Sequence, residues 1–219
     1  EGKYLFAFNE VALPFTVYNT RLVDPKEMRS YWDLLHPKWK GKIVAMDPTM
    51  GSAVDTHLVF IYSHPELGGK FLSRLLTEMD ITASSDARQI VDWLASGKFS
   101  ISFFTTPSRA DLDVAKAQGL PVDWFDPKQL KEGVGSSTSN GNLGLLNRAP
   151  HPNAARVAIN WLLSREGQIQ YQKHQFGSDS LRVDIPKDNV VSYARRLEGV
   201  SYVQTDSQHG KRGVFHHFQ

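Results

Sequence analysis

The chain has 219 residues, of which 41% are hydrophobic and 22% are charged, and its formal net charge is +2. These values are typical of one large or two small globular domains, and basic residues spread along the chain give no case for a nucleic-acid partner. The absence of cysteine excludes thiol catalysis, cysteine zinc sites and disulfides, and no apolar run reaches the roughly 18 residues that a membrane-spanning helix needs.

The first elements predicted along the chain are two strands, at residues 4–8 and 11–18. Pro14 weakens the second as a central strand because proline cannot donate a hydrogen bond to a neighbouring strand. Asp24 followed by Pro25 is typical of the start of a short helix, with Asp24 as the N-cap.

Strands and helices alternate between residues 42 and 125, which is typical of an α/β unit with a mixed or parallel sheet. Predicted strands cover residues 42–46, 81–83, 100–104 and 122–125. Predicted helices cover residues 53–62, 65–79, 87–96 and 109–118, and Ser85 is predicted to cap the third of them.

The last third of the chain begins with a polar loop at 135–142 and a predicted strand at 143–146. Asn153 is predicted to cap a helix whose apolar residues recur at helical spacing, which indicates a wide buried face. Those apolar residues are Val157, Ala158, Trp161, Leu162 and Ile169. A last helix is predicted at 190–198, and the polar tail beyond Gly199 is expected to be poorly ordered.

Two separated motifs, together with the Val-Tyr-Asn-Thr strand at 17–20, carry a resemblance to a known family. One is the proline-rich stretch 149–155, followed by its helix and by Ser164-x-Glu-Gly-Gln. The other is Trp-Asp-Leu-Leu-His-Pro-Lys-Trp-Lys-Gly-Lys-Ile at 32–43. Over residues 8–186 the chain resembles the ferric-iron branch of the type II periplasmic solute-binding proteins, which are receptors of bacterial ABC importers.

The resemblance implies an α/β, two-lobed fold in which ligand closes the lobes about a hinge. Residues 1–22 would be a remnant of domain I with the first hinge strand, and residues 23–122 a complete domain II. Residues 123–219 would hold the second hinge crossing, the C-terminal part of domain I and the tail. Because family members carry further residues before the segment that resembles Glu1, we expect domain I to be partial. Its exposed sheet edges would then favour self-association or a covering partner chain.

The function that the resemblance implies is that of a secreted, periplasmic receptor. Such a receptor captures a small solute and delivers it to an ABC transporter permease, without catalysis and without a cofactor. Two alternatives stay open, because a fold does not decide a function: a small-molecule enzyme or a ligand-sensing domain on a similar scaffold. An acid/base pair in the cleft would favour the enzyme, yet the chain has neither a Gly-x-Ser-x-Gly elbow nor a phosphate-binding loop.

Two strand–turn–helix segments are the first candidates for ligand binding. Thr49, Gly51 and Ser52 lie between a predicted strand and helix, and Ser84 and Ser85 lie between the next pair. A helix N-terminus presents unpaired N–H groups and a partial positive charge, so it attracts anions. The alternative is that these serines only cap their helices.

Three further candidates follow a predicted strand end, and a fourth lies in the polar loop. Thr105 and Thr106 carry hydroxyl donors, and Arg109 could bind an oxyanion with a bidentate fork. Asn140 lies in the loop near the second hinge crossing. The alternative is that Arg109 and the loop are simply solvated. Together these residues favour a compact anionic solute.

Ferric iron is the alternative ligand. Iron-binding members of the family carry adjacent tyrosines, whose phenolate oxygens are the hard donors that ferric iron needs. The matching positions here hold Phe104 and Thr105, so we predict no metal site. His57 and His64 are two helical turns apart, about 10 Å, and are too distant to share one ion.

Overall fold

The computed structural model describes residues 5–13, 16–50, 53–103, 109–138, 141–174, 179–188, 190 and 195–204. The described strands are β1 Leu5–Ala7, β2 Asn9–Leu13, β3 Val17–Asn19, β4 Ile43–Met46, β5 Thr82–Ser84, β6 Ile101–Phe103, β7 Val122–Trp124, β8 Val134–Ser137, β9 Asn142–Gly144, β10 Asp179–Ser180 and β11 Tyr202–Gln204. The described helices are α1 Ala53–Ser63, α2 Gly68–Glu78, α3 Ala87–Ala95, α4 Arg109–Ala117, α5 Pro152–Leu163 and α6 Arg165–His174.

The chain divides into two compact units. The first unit consists of Glu1–Leu13 and Ser136–Glu198, and the second of Pro14–Gly135 and Gly199–Gln219. The boundaries at residues 22 and 122 that the resemblance implies stay a prediction.

A five-stranded sheet organises the second unit, in the order β5–β4–β6–β3–β7. Strands β4, β5 and β6 are parallel, whereas β3 is antiparallel to both β6 and β7. Helices separate the parallel strands along the chain, as a crossover connection requires. The predicted α/β class and mixed sheet are therefore confirmed.

Apolar side chains from the helices of the second unit fill the space against this sheet. Helix α3 buries Ile90, Val91 and Leu94, which pack with Val17 and Val44 from the strands. Complete burial of one such side chain stabilises the folded state by about 1.5–3 kcal/mol. A run of aromatic rings adds to the core, including Tyr31, Phe60, Phe71 and Phe103.

The motif at 32–43 forms a corner that leads into β4. Ser30 and Asp33 make a capping box at the start of a 3-10 helix, Tyr31–Leu35, and a second one, Pro37–Trp39, follows. The indole N–H of Trp32 donates to the Glu66 carbonyl at 3.1 Å. These contacts give the motif a structural role in the second unit.

Two antiparallel strand pairs belong to the first unit. Strand β1 pairs with β9, and β2 pairs with β10. Strand β9 begins one residue earlier and ends two residues earlier than predicted, because Gly144 is its last residue.

The helix predicted from Asn153 ends at the Ser164 motif as α5, and Ile169, which was counted on its apolar face, belongs to a second helix, α6. The Ser164 hydroxyl donates to the Trp161 carbonyl at 2.6 Å and accepts from the Gly167 N–H at 3.1 Å. His151, rather than Asn153, occupies the N-cap position of α5, with Pro152 as the first helical residue. The Ser-x-x-Gly motif therefore marks a helix–helix corner.

The wide buried face predicted for this helix is also wrong. Helix α5 contains no buried residue, and Val157 and Trp161 are 70% and 53% exposed. The periodicity of the apolar residues predicted the helix correctly, but it does not show whether these residues are buried. In the tail, β11 is an ordered strand where poor order was expected, and residues 205–219 lie outside the described part of the chain.

Candidate functional site

The carboxyl ends of three parallel strands meet at one edge of the five-stranded sheet. Met46 of β4 is in register with Ser84 of β5, and Ala45 is in register with Phe103 of β6. The Asp47 N–H donates to the Ser84 carbonyl at 3.0 Å, so the turns that follow β4 and β5 lie side by side. In open α/β sheets, ligands bind outside this edge.

The turn after β4 is closed by Asp47 and Thr49. The Asp47 carboxylate accepts from the Thr49 N–H at 2.8 Å and from its hydroxyl at 2.7 Å. These two hydrogen bonds lower the pKa of Asp47, because they stabilise the charged form. The Thr49 hydroxyl proton therefore points to a carboxylate of its own turn, and its oxygen lone pairs are left to accept.

The turn after β5 is capped by Asp86, so the prediction that Ser85 caps this helix is wrong. The Asp86 carboxylate accepts from the N–H groups of Arg88 and Gln89, at 2.9 and 3.1 Å. Ser84 donates its hydroxyl to the Gln89 side chain at 2.9 Å. Ser85 is exposed. The N-terminus of α3, which was predicted to attract an anion, already holds a carboxylate.

The described part of this edge therefore carries negative charge from Asp47 and Asp86. Arg88 is an exposed cation in the first turn of α3. Arg88 offsets one of the two carboxylates, so an anionic solute at this edge needs at least one further cation to balance the other. Arg109, the first residue of α4, is the predicted candidate, and its side chain lies outside the described set.

Five of the predicted ligand residues lie outside the described residues, so their roles stay predictions. They are Gly51, Ser52, Thr105, Thr106 and Asn140. Phe104, which bears on the iron alternative, also lies outside them. Of the nine predicted residues, the structure brings together Thr49, Ser84 and Ser85 at the sheet edge.

Sequence reasoning missed three polar residues. Asp47 and Asp86 organise the two turns, and the Asp-x-Thr and Ser-x-Asp spacings are typical of such local capping. Asn9 is fully buried, and neither polar atom of its side-chain amide has a partner within the described residues. No sequence signal marks Asn9, because its burial depends on residues that are distant in the sequence. Gly141 is one of them: a Cβ added at Gly141 would lie 2.7 Å from the Asn9 carbonyl oxygen.

Histidine and acidic residues form no group of three or more that could hold a metal ion within the described ranges. His57 is fully buried, and burial lowers its pKa to about 3, so it is neutral at pH 7. His64 accepts from the Glu66 N–H at 3.2 Å through Nδ1. Among the described helices, none has both the length and the apolar character to cross a membrane.

Comparisons with known proteins show similarity at the level of structure. No protein-family model matches the chain, and no curated protein does. A two-component system protein that mediates signal transduction is 24% identical, with a TM-score of 0.62, over 90% of this chain and 63% of its own. The ferric binding protein from Campylobacter jejuni is 17% identical, with a TM-score of 0.61, over 88% of this chain and 61% of its own. The substrate binding protein of an ABC transporter from Agrobacterium tumefaciens is 17% identical, with a TM-score of 0.59, over 92% of this chain and 59% of its own.

These similarities decide the architecture. The chain has the fold of the type II periplasmic binding proteins. It spans 59–63% of the length of the three matched chains. Identities of 24% and below establish a shared fold, and the two-lobed α/β architecture expected from the sequence motifs is confirmed in that sense. The type II fold is consistent with the placement of the candidate site at the carboxyl edge of a sheet.

Proposed function

We propose that this chain belongs to an extracytoplasmic solute receptor that captures a small solute and delivers it to an ABC importer. The observation that carries the proposal is the pairing of the two turns after β4 and β5, through the Asp47–Ser84 hydrogen bond. This pairing presents two polar turns at one edge of a sheet in a fold shared with a solved ABC-transporter binding protein. In this proposal the domain ranges are 1–22, 23–122 and 123–219.

Of the proposed ligand residues, Thr49, Ser84 and Ser85 lie on the two paired turns. The others are Gly51, Ser52, Thr105, Thr106, Arg109 and Asn140. We propose that the solute is a compact oxyanion whose charge is met mainly by Arg109. A charge-assisted hydrogen bond contributes about 1.5–3 kcal/mol, and the roughly 8 kcal/mol of micromolar binding needs several such contacts.

The location and partner of the receptor follow from the same proposal. The protein works outside the cytoplasmic membrane and docks on a permease after it has bound its solute. It needs no cofactor and performs no catalysis. The two described carboxylates at the site are those of Asp47 and Asp86, and both accept hydrogen bonds within their own turns. Neither is therefore placed as a general base that could accept a proton from a substrate.

A ligand-sensing role is the second candidate. The similarity to a two-component system protein favours it, because that protein has the same fold over 90% of this chain. The two candidates share the ligand site and differ in the partner. Co-purification from membranes with a permease supports the importer, whereas co-purification with a sensor kinase supports the sensing role.

Native mass spectrometry followed by calorimetry tests the ligand proposal. The 219-residue chain is isolated under non-denaturing conditions, and any bound small molecule is identified by its mass and then titrated back. We expect an anionic metabolite, and we expect Arg109→Ala to weaken its binding at least tenfold. Arg156→Ala is the matched control, because Arg156 is an exposed helical arginine of the first unit. Equal affinities of the two variants, or a cationic solute, would refute the anion proposal.

Ferric citrate distinguishes the iron alternative. Because Phe104 and Thr105 stand where iron-binding members carry tyrosines, we expect no visible charge-transfer band on its addition. A strong band that disappears when Tyr18 or another tyrosine is replaced would establish iron as the ligand instead.

A further inference from the structure

Two of the segments that connect the units are bonded to each other inside the second unit. The chain leaves the second unit after Gly135 and re-enters it at Gly199. Just inside these two crossings, the Val134 N–H donates to the Ser201 carbonyl at 3.0 Å. We propose that residues 132–134 and Ser201 form an anchor, which fixes both connecting segments to the second unit and limits the relative movement of the two units. The proposal does not rest on the receptor function, because it involves neither a solute nor any proposed ligand residue.

Glu132 attaches the anchor to the turn that precedes the first 3-10 helix of the 32–43 motif. Its side chain is buried, and its carboxylate accepts from the Ser30 hydroxyl and, at 3.2 Å, from the Tyr31 N–H. A buried carboxylate is costly without such donors, so the bonded arrangement is strongly preferred. Because hydrogen bonds are directional, these two fix the position of residue 132 more tightly than an apolar contact does.

Tyr31 makes a further attachment, to the residue that follows Glu132. Its phenol donates to the Gly133 carbonyl at 3.1 Å, and its ring packs in the core with Phe60 and Phe103. Burial, and after it the Glu132 carboxylate, raises the pKa of Tyr31 well above its usual value. The phenol is therefore protonated at neutral pH and remains a donor. Two successive residues of the anchor are thus bonded to one core tyrosine.

The close approach of the two connecting segments requires glycine at position 133. Gly133 has a φ of +72°, and a Cβ at this position would overlap the Ser201 carbonyl oxygen and lie 2.8 Å from the Ser201 Cβ. Backbone conformation and available space therefore both exclude a side chain. Gly119 has a similar φ of +75° but no atom within 4 Å of its Cβ position. It is the matched residue that separates backbone strain from the contact with Ser201.

The anchor decides where backbone rotation between the units takes place. Hinge movement is absorbed by a few residues whose φ and ψ angles change. Residues 132–134 are held by the bonds to Ser30, Tyr31 and Ser201, so they move with the second unit. Rotation is then confined to the chain beyond Gly135 and before Gly199. Loss of the anchor adds rotatable residues to both connections and widens the range of movement.

Pulsed electron paramagnetic resonance between two spin labels tests the anchor on the 219-residue chain. The chain has no cysteine, so Lys70→Cys and Arg156→Cys introduce one labelled position on an exposed helical site of each unit. Without added solute, Glu132→Ala is expected to widen the distribution of label distances roughly twofold or more relative to the labelled parent. Tyr31→Phe, which removes only the phenol oxygen, is expected to widen it by a smaller amount.

Two pairs of variants separate the anchor from a general loss of stability. Gly133→Ala is expected to widen the distribution at least as much as Glu132→Ala, whereas Gly119→Ala, which adds strain without the contact, is expected to leave it unchanged. Glu66→Gln is the second control, because it removes an exposed ion pair with Lys131, 2.7 Å long, directly beside the anchor. It is also expected to leave the distribution unchanged.

Amide hydrogen exchange of the five-stranded sheet verifies that each labelled variant is folded. Tyr31→Phe keeps its ring in the core, so it carries the test if Glu132→Ala does not fold. A distribution of the same width in the parent and in every folded anchor variant overturns the proposal. Equal widening by Gly133→Ala and Gly119→Ala overturns it as well.

Discussion

Helices α2 and α3 of the second unit and helix α5 of the first unit have similar sequence patterns but differ in how much of their apolar surface is buried. Helices α2 and α3 each bury three apolar residues, whereas α5 buries none, although all three have apolar residues at helical spacing. The corner between α5 and α6 is defined instead by hydrogen bonds of Ser164 and Gln168. Periodicity therefore predicts the type of element, but the surrounding chain decides whether its apolar face is buried.

The largest expected difference between the two regions is the effect of deleting an aromatic ring. Phe71 is fully buried and contacts Trp32 and Phe103, so Phe71→Ala is expected to cost about 3–5 kcal/mol of the free energy of unfolding. Trp161→Ala, on exposed α5, is expected to change it by no more than about 0.5 kcal/mol. Urea unfolding followed by circular dichroism measures both. A loss for Trp161→Ala as large as that for Phe71→Ala would contradict the contrast.

The second prediction concerns the α5–α6 corner. A Cβ added at Gly167 would lie 2.0 Å from the Trp161 carbonyl oxygen, so Gly167→Ala must displace backbone and is expected to cost about 2–3 kcal/mol. Gly119→Ala is the control, because Gly119 has open space around its Cβ position and a φ of +75°. In Gly119→Ala, backbone strain alone is expected to lower the free energy of unfolding by about 1 kcal/mol. Thermal unfolding of the two variants compares them, and equal losses would mean that the corner adjusts freely.

The third prediction is a pH dependence that comes from the second unit. His57 has a pKa of about 3 in the folded protein, against 6.5 as its ordinary value, because burial disfavours the charged ring. The unfolded chain therefore binds a proton that the folded protein does not, and stability is lost as the pH falls from 6.5 towards 3. Between pH 7 and pH 5 we expect this group to remove about 2 kcal/mol from the free energy of unfolding.

Urea unfolding at both pH values measures that loss. His57→Gln is expected to show a smaller change between the two pH values, whereas His151→Gln, at an exposed position, is expected to behave like the parent chain. A pH dependence that is the same in all three proteins would show that other groups control it.

The smallest expected effect concerns the cap of α3. Asp86→Ala is expected to cost about 1 kcal/mol, because two helical N–H groups lose their acceptor, whereas Asp86→Asn keeps the cap. Ser85→Ala is expected to change stability by less than about 0.5 kcal/mol. Chemical denaturation distinguishes the three variants. A larger loss for Ser85→Ala than for Asp86→Ala would restore the serine as the cap.

The alternation of strands and helices between residues 42 and 125 could be predicted because apolar residues recur with a different period in strands and in helices. The position of the candidate site at the strand ends is a prediction from that alternation. The choice between Ser85 and Asp86 as the cap could not be predicted from spacing alone, since both residue types favour that position and the start of the helix differs by one residue. The break between α5 and α6 depends on the hydrogen bond from the Ser164 side chain to the Trp161 carbonyl. The burial of Asn9 depends on residues that lie more than a hundred positions away in the sequence.

Amide NMR of the 219-residue chain, with and without the solute identified by mass spectrometry, tests the central claim most directly. If the solute binds at the carboxyl edge of the five-stranded sheet, the largest shifts will be those of residues 47–49 and 84–88, whose turns are joined by the Asp47–Ser84 hydrogen bond. Largest shifts confined to residues 179–196, or spread evenly over the chain, would contradict the claim that this edge is the solute site.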